Sequence, residues 1–189
     1  MPAKFWSRTN DVKDLDYFPT PPYASLALLK REQFSGSIWE PACGEYHMAN
    51  VLKMQYPDSE VIATDIIYGQ DFLKTNKKVD NIVTNPPFTL ANDFILHCKK
   101  CATKKIAFIL RNQFLESKGR HAMFLDKDFP LKAVYQFVHR VPFAKGKIDL
   151  RASNTLAFSW FVWDREWKGE PVIRWIDDRS HEINKVELF

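Results

Sequence analysis

Short apolar runs alternate with longer segments of helical spacing along most of the chain. The runs that predict strands cover residues 37–40, 60–67, 79–85, 105–110, 131–139, 155–163 and 172–176. The segments with helical spacing cover residues 23–31, 47–54, 90–100 and 116–125. Strands that alternate with helices predict an α/β fold, a mostly parallel twisted sheet with helices on both faces. The last strands follow one another with little helix between them, so we expect an antiparallel pair at that edge.

The third predicted strand runs straight into Asn85, Pro86, Pro87 and Phe88. The two prolines have no backbone N–H for a neighbouring strand and hold φ at about −65°, so the strand must end at Asn85. The result is a rigid turn that presents an amide, carbonyl groups and an aromatic face. Ligands bind at this edge of open α/β sheets. Taken alone, the same residues could form a strand-ending turn with a local side-chain hydrogen bond.

Composition bounds the class of protein. The chain has 189 residues, of which 46% are apolar and 26% charged, as expected for one soluble globular domain. No apolar run approaches the roughly 20 residues of a membrane span, and the N-terminus lacks the apolar region of a signal peptide. We therefore expect a cytoplasmic protein with no membrane partner. Residues 1–17 are polar and lack periodicity, which predicts an extended N-terminal arm before a single domain over residues 18–189.

Charge and cysteine content narrow the partners further. The net charge of +4, from 27 basic and 23 acidic residues, permits a polyanionic partner without demanding one. His97, Cys98 and Cys101 have a spacing that suggests zinc, but no second pair of ligands completes a four-ligand site. We therefore expect reduced thiols, no metal and no disulfide framework.

The turn after the first predicted strand contains Gly44, with small residues before it. Such a turn lets the backbone approach a ligand at the N-terminus of the next helix. Asp65 ends the second strand 21 residues later, the spacing at which an acid binds ribose hydroxyls in dinucleotide-type folds. Each feature alone is weak evidence, because a tight turn or a strand-end cap has the same pattern.

In this order, the segments around Gly44, Asp65 and Asn85 resemble the S-adenosylmethionine-dependent methyltransferases that modify exocyclic amines, chiefly adenine-N6 enzymes. Roughly residues 17–165 are similar to the short adenine methyltransferases of bacteriophages and prophages, although the likeness within residues 114–163 is only suggestive. The resemblance implies a Rossmann-like class I methyltransferase fold and S-adenosyl-L-methionine as cofactor. It also implies the cytoplasm of a bacterial or phage-infected cell.

The resemblance also implies roles for individual residues. The catalytic residues are then the strand-end motif, namely Asn85, Pro86, Pro87 and Phe88. The cofactor-binding residues then come from four segments, namely Phe18, Thr20 and Pro21, then Glu40, Pro41, Ala42, Cys43 and Gly44, then Asp65, and finally Asp71 and Phe72. The family usually has glycine two residues after Gly44, and here that position is Tyr46. Its phenol could crowd the cofactor or form a wall of the site.

Two loops, residues 111–121 and 139–151, are candidates for binding the substrate. The second loop has four cations against one acid, which suits phosphates, although a solvated basic hairpin has the same composition. These cations are Arg140, Lys145, Lys147 and Arg151. About 100 residues follow Phe88, and most are needed to finish the sheet, so we expect no separate large target-recognition domain. Low target specificity or a single-stranded target follows.

Methylation of the N6 amine of adenine in DNA is the first hypothesis for the function. The same chemistry suits adenine or guanine amines of RNA and glutamine amides of proteins. Glutamine enzymes usually carry an additional N-terminal helical domain, which residues 1–36 cannot supply. The alternative from a different class of function is a catalytically silent, nucleic-acid-binding relative. We consider it because Tyr46 stands where the family usually has glycine. Neither the target sequence nor the oligomeric state can be predicted.

Overall fold

The computed structural model of the protein describes residues 17–151 and 155–178. The predicted arm therefore lies outside the described residues, except for Tyr17. The strands are β1 (Ile38–Glu40), β2 (Val61–Ala63), β3 (Val79–Thr84), β4 (Ala102–Arg111), β5 (Leu131–Phe137), β6 (Phe143–Ala144), β7 (Lys147–Ile148), β8 (Phe158–Asp164) and β9 (Val172–Ile176).

Seven of these strands form one sheet in the order β2-β1-β3-β4-β8-β5-β9. The first four are parallel neighbours, so their carboxyl ends lie at the same edge. Strand β8 lies between β4 and β5 and is antiparallel to both. Strand β9 pairs in parallel with β5 at the far edge. The prediction of a mostly parallel sheet with antiparallel pairing towards one edge is confirmed.

Helices cover both faces of the sheet. Helices α1 (Pro22–Leu29) and α2 (His47–Gln55) pack on one face, and α3 (Ala91–Cys101) packs on the other. Side chains of β4 alternate between the two apolar cores, as the period of two in a strand requires. Every residue of β8 is buried, because the sheet is covered on both sides.

Two predicted elements differ from the structure. Residues 116–125 do not form one continuous helix. The chain there makes 3₁₀ turns at Asn112–Leu115 and Lys118–Arg120 before the short helix α4 (His121–Phe124). The Ser117 hydroxyl accepts a hydrogen bond from the Gly119 N–H at 3.2 Å, which competes with helical pairing. The second strand stops at Ala63 rather than residue 67, because the Asp65 carboxylate caps a 3₁₀ helix at Ile66–Tyr68.

The basic segment at residues 139–151 contains structure that the sequence did not predict. Strands β6 and β7 pair as an antiparallel hairpin with Lys145 and Gly146 at the turn. Gly146 has a φ of 72°, a conformation that suits glycine in a two-residue turn.

A network of charged side chains around the buried Glu32 lies at the amino ends of β4 and β5. The Glu32 carboxylate is 2% exposed and accepts hydrogen bonds from Lys132 at 2.9 Å, Lys105 at 3.1 Å and the Tyr135 hydroxyl at 2.6 Å. Both lysines also lie 3.5 Å from the Asp164 carboxylate at the end of β8. Burial alone would raise the pKa of Glu32, but its hydrogen bonds and the nearby lysine charge lower it below the usual value.

The described residues show neither a membrane span nor a metal centre. None of their helices is long and apolar enough to cross a bilayer. No group of three His, Cys, Asp or Glu side chains within 17–151 and 155–178 could hold a metal ion. Cys43, Cys98 and Cys101 are buried free thiols.

Candidate functional site

The turn after β3 lies at the carboxyl edge of the sheet, as predicted. Strand β3 ends at Thr84, and the three residues Asn85, Pro86 and Pro87 have no regular secondary structure. A 3₁₀ helix at Phe88–Leu90 then leads directly into α3. The prolines end the pairing of β3 and fix the direction of the chain, so the turn is rigid before any ligand binds.

The Asn85 amide has its two ends in different environments. Its Nδ2 donates a hydrogen bond of 2.8 Å to the Phe18 carbonyl, which fixes the orientation of the amide. Its Oδ1 is buried and accepts no hydrogen bond from any described residue. A buried acceptor without a donor is costly, and native structures keep few of them. The amide therefore presents a fixed, unused acceptor at the end of β3.

The Phe88 ring joins an aromatic row that runs across this edge of the sheet. Its centroid lies 5.8 Å from the Phe18 ring and 5.7 Å from the Phe158 ring. Phe158 in turn packs on Phe143 of the β6–β7 hairpin at 4.4 Å. The Arg111 guanidinium also lies over the Phe88 ring, with its Cζ 4.3 Å from the centroid. The strand-end motif therefore contacts Arg111 of the first predicted substrate loop directly, and it is connected to Phe143 of the second loop through Phe158.

The segment before α1 lies against the strand-end motif. Besides the Phe18 carbonyl, it contributes Thr20, which is 4% exposed and whose Oγ1 has no hydrogen-bond partner among the described residues. Pro21 is buried, and its carbonyl accepts the Ala24 N–H at 2.9 Å, which starts α1. The structure thus brings Phe18, Thr20 and Pro21 to the edge where Asn85 lies.

The loop between β1 and α2 is held in place by Asp65. The Asp65 Oδ2 accepts the Gly44 N–H at 2.8 Å, and its Oδ1 accepts the Ile67 N–H at 3.0 Å. A further backbone bond of 3.0 Å runs from the Cys43 N–H to the Thr64 carbonyl. The predicted loop residues Glu40 to Gly44 and the predicted acid Asp65 therefore form one unit at the carboxyl ends of β1 and β2.

Glu40, the last residue of β1, is a buried acid with no ion pair to any described residue. The residue is only 3% exposed. Its Oε2 has no hydrogen-bond partner in the described part of the chain. Burial, with the nearby Asp65 charge, raises the pKa of Glu40 well above its usual value. The Cys43 thiol is also shielded from water, and its burial, followed by the charges of Glu40 and Asp65, raises its pKa to about 12.

Three tyrosines surround Gly44. Tyr46 adopts a φ of 67°, the only positive φ of a residue other than glycine among those described, and stacks on Tyr68 with the centroids 5.5 Å apart. The Tyr68 hydroxyl donates to the Gly44 carbonyl at 2.9 Å. On the other side, the Tyr17 hydroxyl accepts the Glu45 N–H at 3.2 Å. Tyr46 is thus part of an aromatic wall beside the loop, at a backbone conformation that favours glycine.

Gly44 is needed for the packing of Tyr17. A Cβ at Gly44 would lie 2.4 Å from the Tyr17 Cε2, and the φ of Gly44 is 48°. Burial is the main cause that raises the pKa of Tyr17 to about 12, so the phenol stays neutral at physiological pH.

Asp71 and Phe72 lie farther along the same edge. The Asp71 carboxylate accepts the Leu73 N–H at 3.1 Å and pairs with Lys74 at 3.0 Å. The Phe72 ring is 3% exposed and packs between Trp39 and Phe94 in the second core. Both residues line a cleft of about 370 Å³ beside β1 and β2. Its lining is Trp39, Ile62, Thr64, Gln70, Asp71, Phe72, Thr75 and Lys77.

The predicted cations lie on and around the β6–β7 hairpin. Lys145 and Lys147 are exposed, and Lys147 pairs with Asp149 at 3.3 Å, with its side chain 69% exposed. The exposed Arg140 donates from Nη1 to the Thr155 carbonyl at 2.5 Å, and Arg151 is also exposed. The Gly146 N–H donates to the Tyr17 carbonyl at 2.9 Å, so the hairpin is attached to the segment that contacts Asn85.

Sequence reasoning did not assign roles to Tyr17, Tyr68 and Phe158, and it included Arg111 only as the first residue of a candidate substrate loop. Arg111 had a usable signal, because it ends a strand whose carboxyl terminus lies beside that of β3. Phe158 had none, since its place beside Phe88 depends on β8 returning antiparallel to β4. Tyr17 and Tyr68 reach Gly44 through long-range contacts that no local pattern encodes.

Comparison with known proteins supports the fold. No protein-family model and no curated protein matches the sequence. Among solved structures, a modification subunit of a candidate type I restriction enzyme from Vibrio vulnificus is 17% identical, with a TM-score of 0.56 over 90% of this chain. This chain covers 49% of that subunit, about half its length.

Two further solved structures have the same fold. A candidate RNA methyltransferase from Pyrococcus horikoshii is 11% identical, with a TM-score of 0.55 over 84% of this chain and 90% of its own. The magnesium protoporphyrin IX methyltransferase from Synechocystis, solved with bound S-adenosylmethionine, is 10% identical, with a TM-score of 0.50 over 76% of each chain. At these identities the similarity concerns the fold, which is the Rossmann-like class I methyltransferase fold predicted from the sequence.

Proposed function

We propose that this protein is an S-adenosylmethionine-dependent methyltransferase that methylates the N6 amine of adenine in DNA. The observation that carries the proposal is the Asn85 amide, which is fixed by its bond to the Phe18 carbonyl and presents an unpartnered Oδ1. It lies at the carboxyl end of β3, where ligands bind in open α/β sheets.

This amide suits the chemistry of an exocyclic amine. The lone pair of such an amine is delocalised into the ring, so its nitrogen must become more tetrahedral before it can attack a methyl group. Two acceptors that bind the two amine hydrogens favour that geometry, mostly at the transition state. The Asn85 Oδ1 and the adjacent Pro86 carbonyl are this pair of acceptors. The rigid turn holds both before the substrate arrives, so little rearrangement is needed.

The remaining steps require little of the protein. Phe88 offers a ring on which the target base stacks, a contact worth about 1–3 kcal/mol. The amine becomes acidic only as it is methylated, so water takes its proton and no strong base is needed. A target within a duplex must first be flipped out of the stack, at a cost of a few kcal/mol.

The loop after β1 has features that fit a nucleoside cofactor. Each Asp65 oxygen accepts one backbone hydrogen bond, which leaves a lone pair for ribose hydroxyls. The unpartnered Glu40 Oε2 is a second polar group available beside the loop. Bound there, S-adenosylmethionine supplies a methyl group activated by its sulfonium charge. Tyr46 and Tyr68 form a wall of this site, and Asp71 and Phe72 are the proposed contacts of the cofactor's adenine.

A DNA substrate is supported by the cations near the site. The β6–β7 hairpin carries exposed lysines and is attached to the segment beside Asn85. Replacing both Lys145 and Lys147 with alanine removes two cations, so the slope of log affinity against log salt should fall by about 0.9 for each phosphate that is no longer neutralised. Binding to a fluorescent oligonucleotide at several salt concentrations measures this slope. An unchanged slope would remove the hairpin from the substrate path.

Transfer of a labelled methyl group tests the proposal directly. The protein is incubated with labelled S-adenosylmethionine and, separately, with duplex DNA, single-stranded DNA, RNA and cell protein. Nucleoside and amino acid analysis then identifies the product. We expect label in N6-methyladenine from DNA. Absence of label from every acceptor, with a folded protein, would contradict the proposal.

Two observations support alternative functions, and further measurements distinguish them from the proposal. The structural similarity to a candidate RNA methyltransferase over 90% of that protein supports an RNA acceptor, which label in RNA alone would favour. The Tyr17 ring against Gly44 and the strained Tyr46 support a silent nucleic-acid-binding relative. Calorimetry with S-adenosylmethionine separates that relative from an enzyme, because only the enzyme must bind the cofactor.

A further inference from the structure

The Arg111 guanidinium stacks on the Phe88 ring, on which the target base is proposed to stack. Arg111 is the last residue of β4, the neighbour of β3, and its Cζ is 4.3 Å from the Phe88 centroid. This is cation–π contact distance. A base that stacks on Phe88 needs a separation of about 3.5 Å from the ring, and the guanidinium occupies that volume. Substrate and Arg111 therefore cannot occupy this face at the same time.

The Arg111 guanidinium is held by little else. We find no hydrogen bond or ion pair from it to any residue within 17–151 or 155–178, and its Nε is buried without a partner. A guanidinium has five N–H donors and keeps its charge in proteins, so a buried Nε without an acceptor is unfavourable even though the residue as a whole is only partly buried. Arg111 therefore has no acidic partner among the described residues.

Two other arginines stacked on phenylalanine show what a structural contact looks like here. Arg120 lies 4.5 Å from the Phe114 centroid and donates to three backbone carbonyls, at distances of 2.7 to 3.2 Å. Arg165 lies 4.4 Å from the Phe129 centroid and donates to the Lys99 carbonyl at 2.7 Å. Both guanidinium groups join segments of the backbone together. Arg111 makes no such link to the described backbone, so its stacking on Phe88 can be given up at little cost.

We propose that Arg111 covers Phe88 in the absence of substrate and moves off the ring to bind a phosphate of the nucleotide being methylated. A phosphate is the ligand that a planar guanidinium binds best, through two parallel hydrogen bonds. The same movement exposes Phe88 to the base, so phosphate binding and base stacking occur together. The inference rests on the proposed function, since it takes the acceptor to be a nucleotide within a polynucleotide.

Removal of the Arg111 side chain should therefore change the affinity for a nucleoside and the affinity for an oligonucleotide in opposite directions. In Arg111→Ala, a nucleoside such as adenosine no longer competes with the guanidinium, so its affinity should rise about 2- to 5-fold. For a single-stranded oligonucleotide the variant has one fewer cation to neutralise phosphate, so the affinity falls and the salt slope decreases by about 0.7. Arg111→Lys keeps a charge for the phosphate and should retain the slope.

Arg165→Ala is the matched control, because it removes a stacked arginine that already donates to backbone carbonyls and lies outside both candidate substrate loops. It should lower thermal stability and leave both the salt slope and adenosine affinity unchanged. Thermal unfolding of each variant checks that the protein is folded, and Arg111→Lys remains informative if Arg111→Ala does not fold.

The measurements are fluorescence anisotropy of a labelled adenine-containing oligonucleotide across salt concentrations and calorimetry with adenosine. Opposite shifts for the two ligands in Arg111→Ala support the inference. An unchanged salt slope, or an unchanged or lower adenosine affinity, overturns it. These are binding measurements and need no methyl transfer, so failure of the proposed enzyme activity and failure of this inference are separate results.

Discussion

Buried charged groups differ between the two ends of the central sheet, since those at the amino end are paired while some at the carboxyl end lack a partner among the described residues. At the amino end, Glu32 is bound by two lysines and a tyrosine hydroxyl, and both lysines also face Asp164. At the carboxyl end, unpartnered buried atoms belong to residues that end three neighbouring strands or follow them. These atoms are Glu40 Oε2, Thr84 Oγ1, Asn85 Oδ1 and Arg111 Nε.

Near the amino end, Asn81 Oδ1 and Trp163 Nε1 also lack partners among the described residues, but neither group is charged. We take the unpaired charged groups to mark the carboxyl end as the one prepared for a ligand. Buried charges that are paired hold the fold together, and removing one leaves the others uncompensated. Buried acceptors and donors without partners cost free energy, so they persist where a ligand completes them or where function needs them. On this account, the largest losses of stability come from changes at the amino end, while the largest losses of binding and catalysis come from changes at the carboxyl end.

The largest effect on stability is expected from Glu32→Ala. It leaves Lys105 and Lys132 without their main partner, so the free energy of unfolding should fall by about 3 kcal/mol. Tyr135→Phe removes one neutral donor from the same carboxylate and should cost only about 1 kcal/mol. Urea unfolding followed by circular dichroism measures both. A change below that of Tyr135→Phe would show that the network contributes no more than a surface ion pair.

The pH dependence of stability should differ in sign between the two ends. The pKa of Glu32 is lowered in the folded state, so its contribution is present above the usual value near 4.5 and is lost as pH falls through the folded pKa. The pKa of Glu40 is raised well above 4.5, so its contribution is present below that value and is lost as pH rises through the folded pKa.

Glutamine variants isolate these two contributions. Glu32→Gln should reduce the dependence of stability on pH in the acid range, and Glu40→Gln should reduce the loss of stability as pH rises. Chemical unfolding across a pH series measures both. If both variants changed the same side of the profile, the contrast between the two carboxyl groups would be wrong.

A smaller effect on the free energy of unfolding is expected at Tyr46, whose backbone is strained and lies at the carboxyl end of the sheet. Its φ of 67° is unfavourable for a residue with a Cβ, so Tyr46→Gly should increase the free energy of unfolding by about 1 kcal/mol. Tyr46→Phe keeps the backbone conformation and the stacking on Tyr68, so it serves as the control. A stability loss in Tyr46→Gly, measured by urea unfolding, would mean that the stacking on Tyr68 outweighs the relief of strain.

The fold could be predicted because it depends on local patterns. Buried apolar runs, proline after β3 and the spacing from Gly44 to Asp65 are all short-range features, and they located most strands of the parallel sheet. The prediction of a continuous helix at residues 116–125 was wrong, because the local hydrogen bond of the Ser117 hydroxyl competes with helical hydrogen bonding. The β6–β7 hairpin was missed because its two-residue strands are too short to give a periodic signal.

The site was only partly predictable for a related reason. The motif at Asn85 was recognisable through two prolines and an aromatic residue. Its environment depends on residues far away in sequence, such as the Phe18 carbonyl, 67 positions earlier. Arg111 and Phe158 reach Phe88 only because β4 and β8 are placed beside β3 and each other. Tertiary contacts of this kind leave no local signature.

The central claim is that the unpartnered Asn85 Oδ1 activates the amine that is methylated. The most direct measurement is single-turnover methyl transfer to DNA by Asn85→Ala, together with calorimetry of cofactor binding. Asn81→Ala is the control, since Asn81 lies within β3, is fully buried and donates to the carbonyls of Ser35 and Ser37. We predict that Asn85→Ala lowers the transfer rate by about 10²–10³-fold while cofactor affinity is retained. Asn81→Ala should lose stability but transfer methyl groups normally when folded. Equal transfer rates in wild type and Asn85→Ala would contradict the claim.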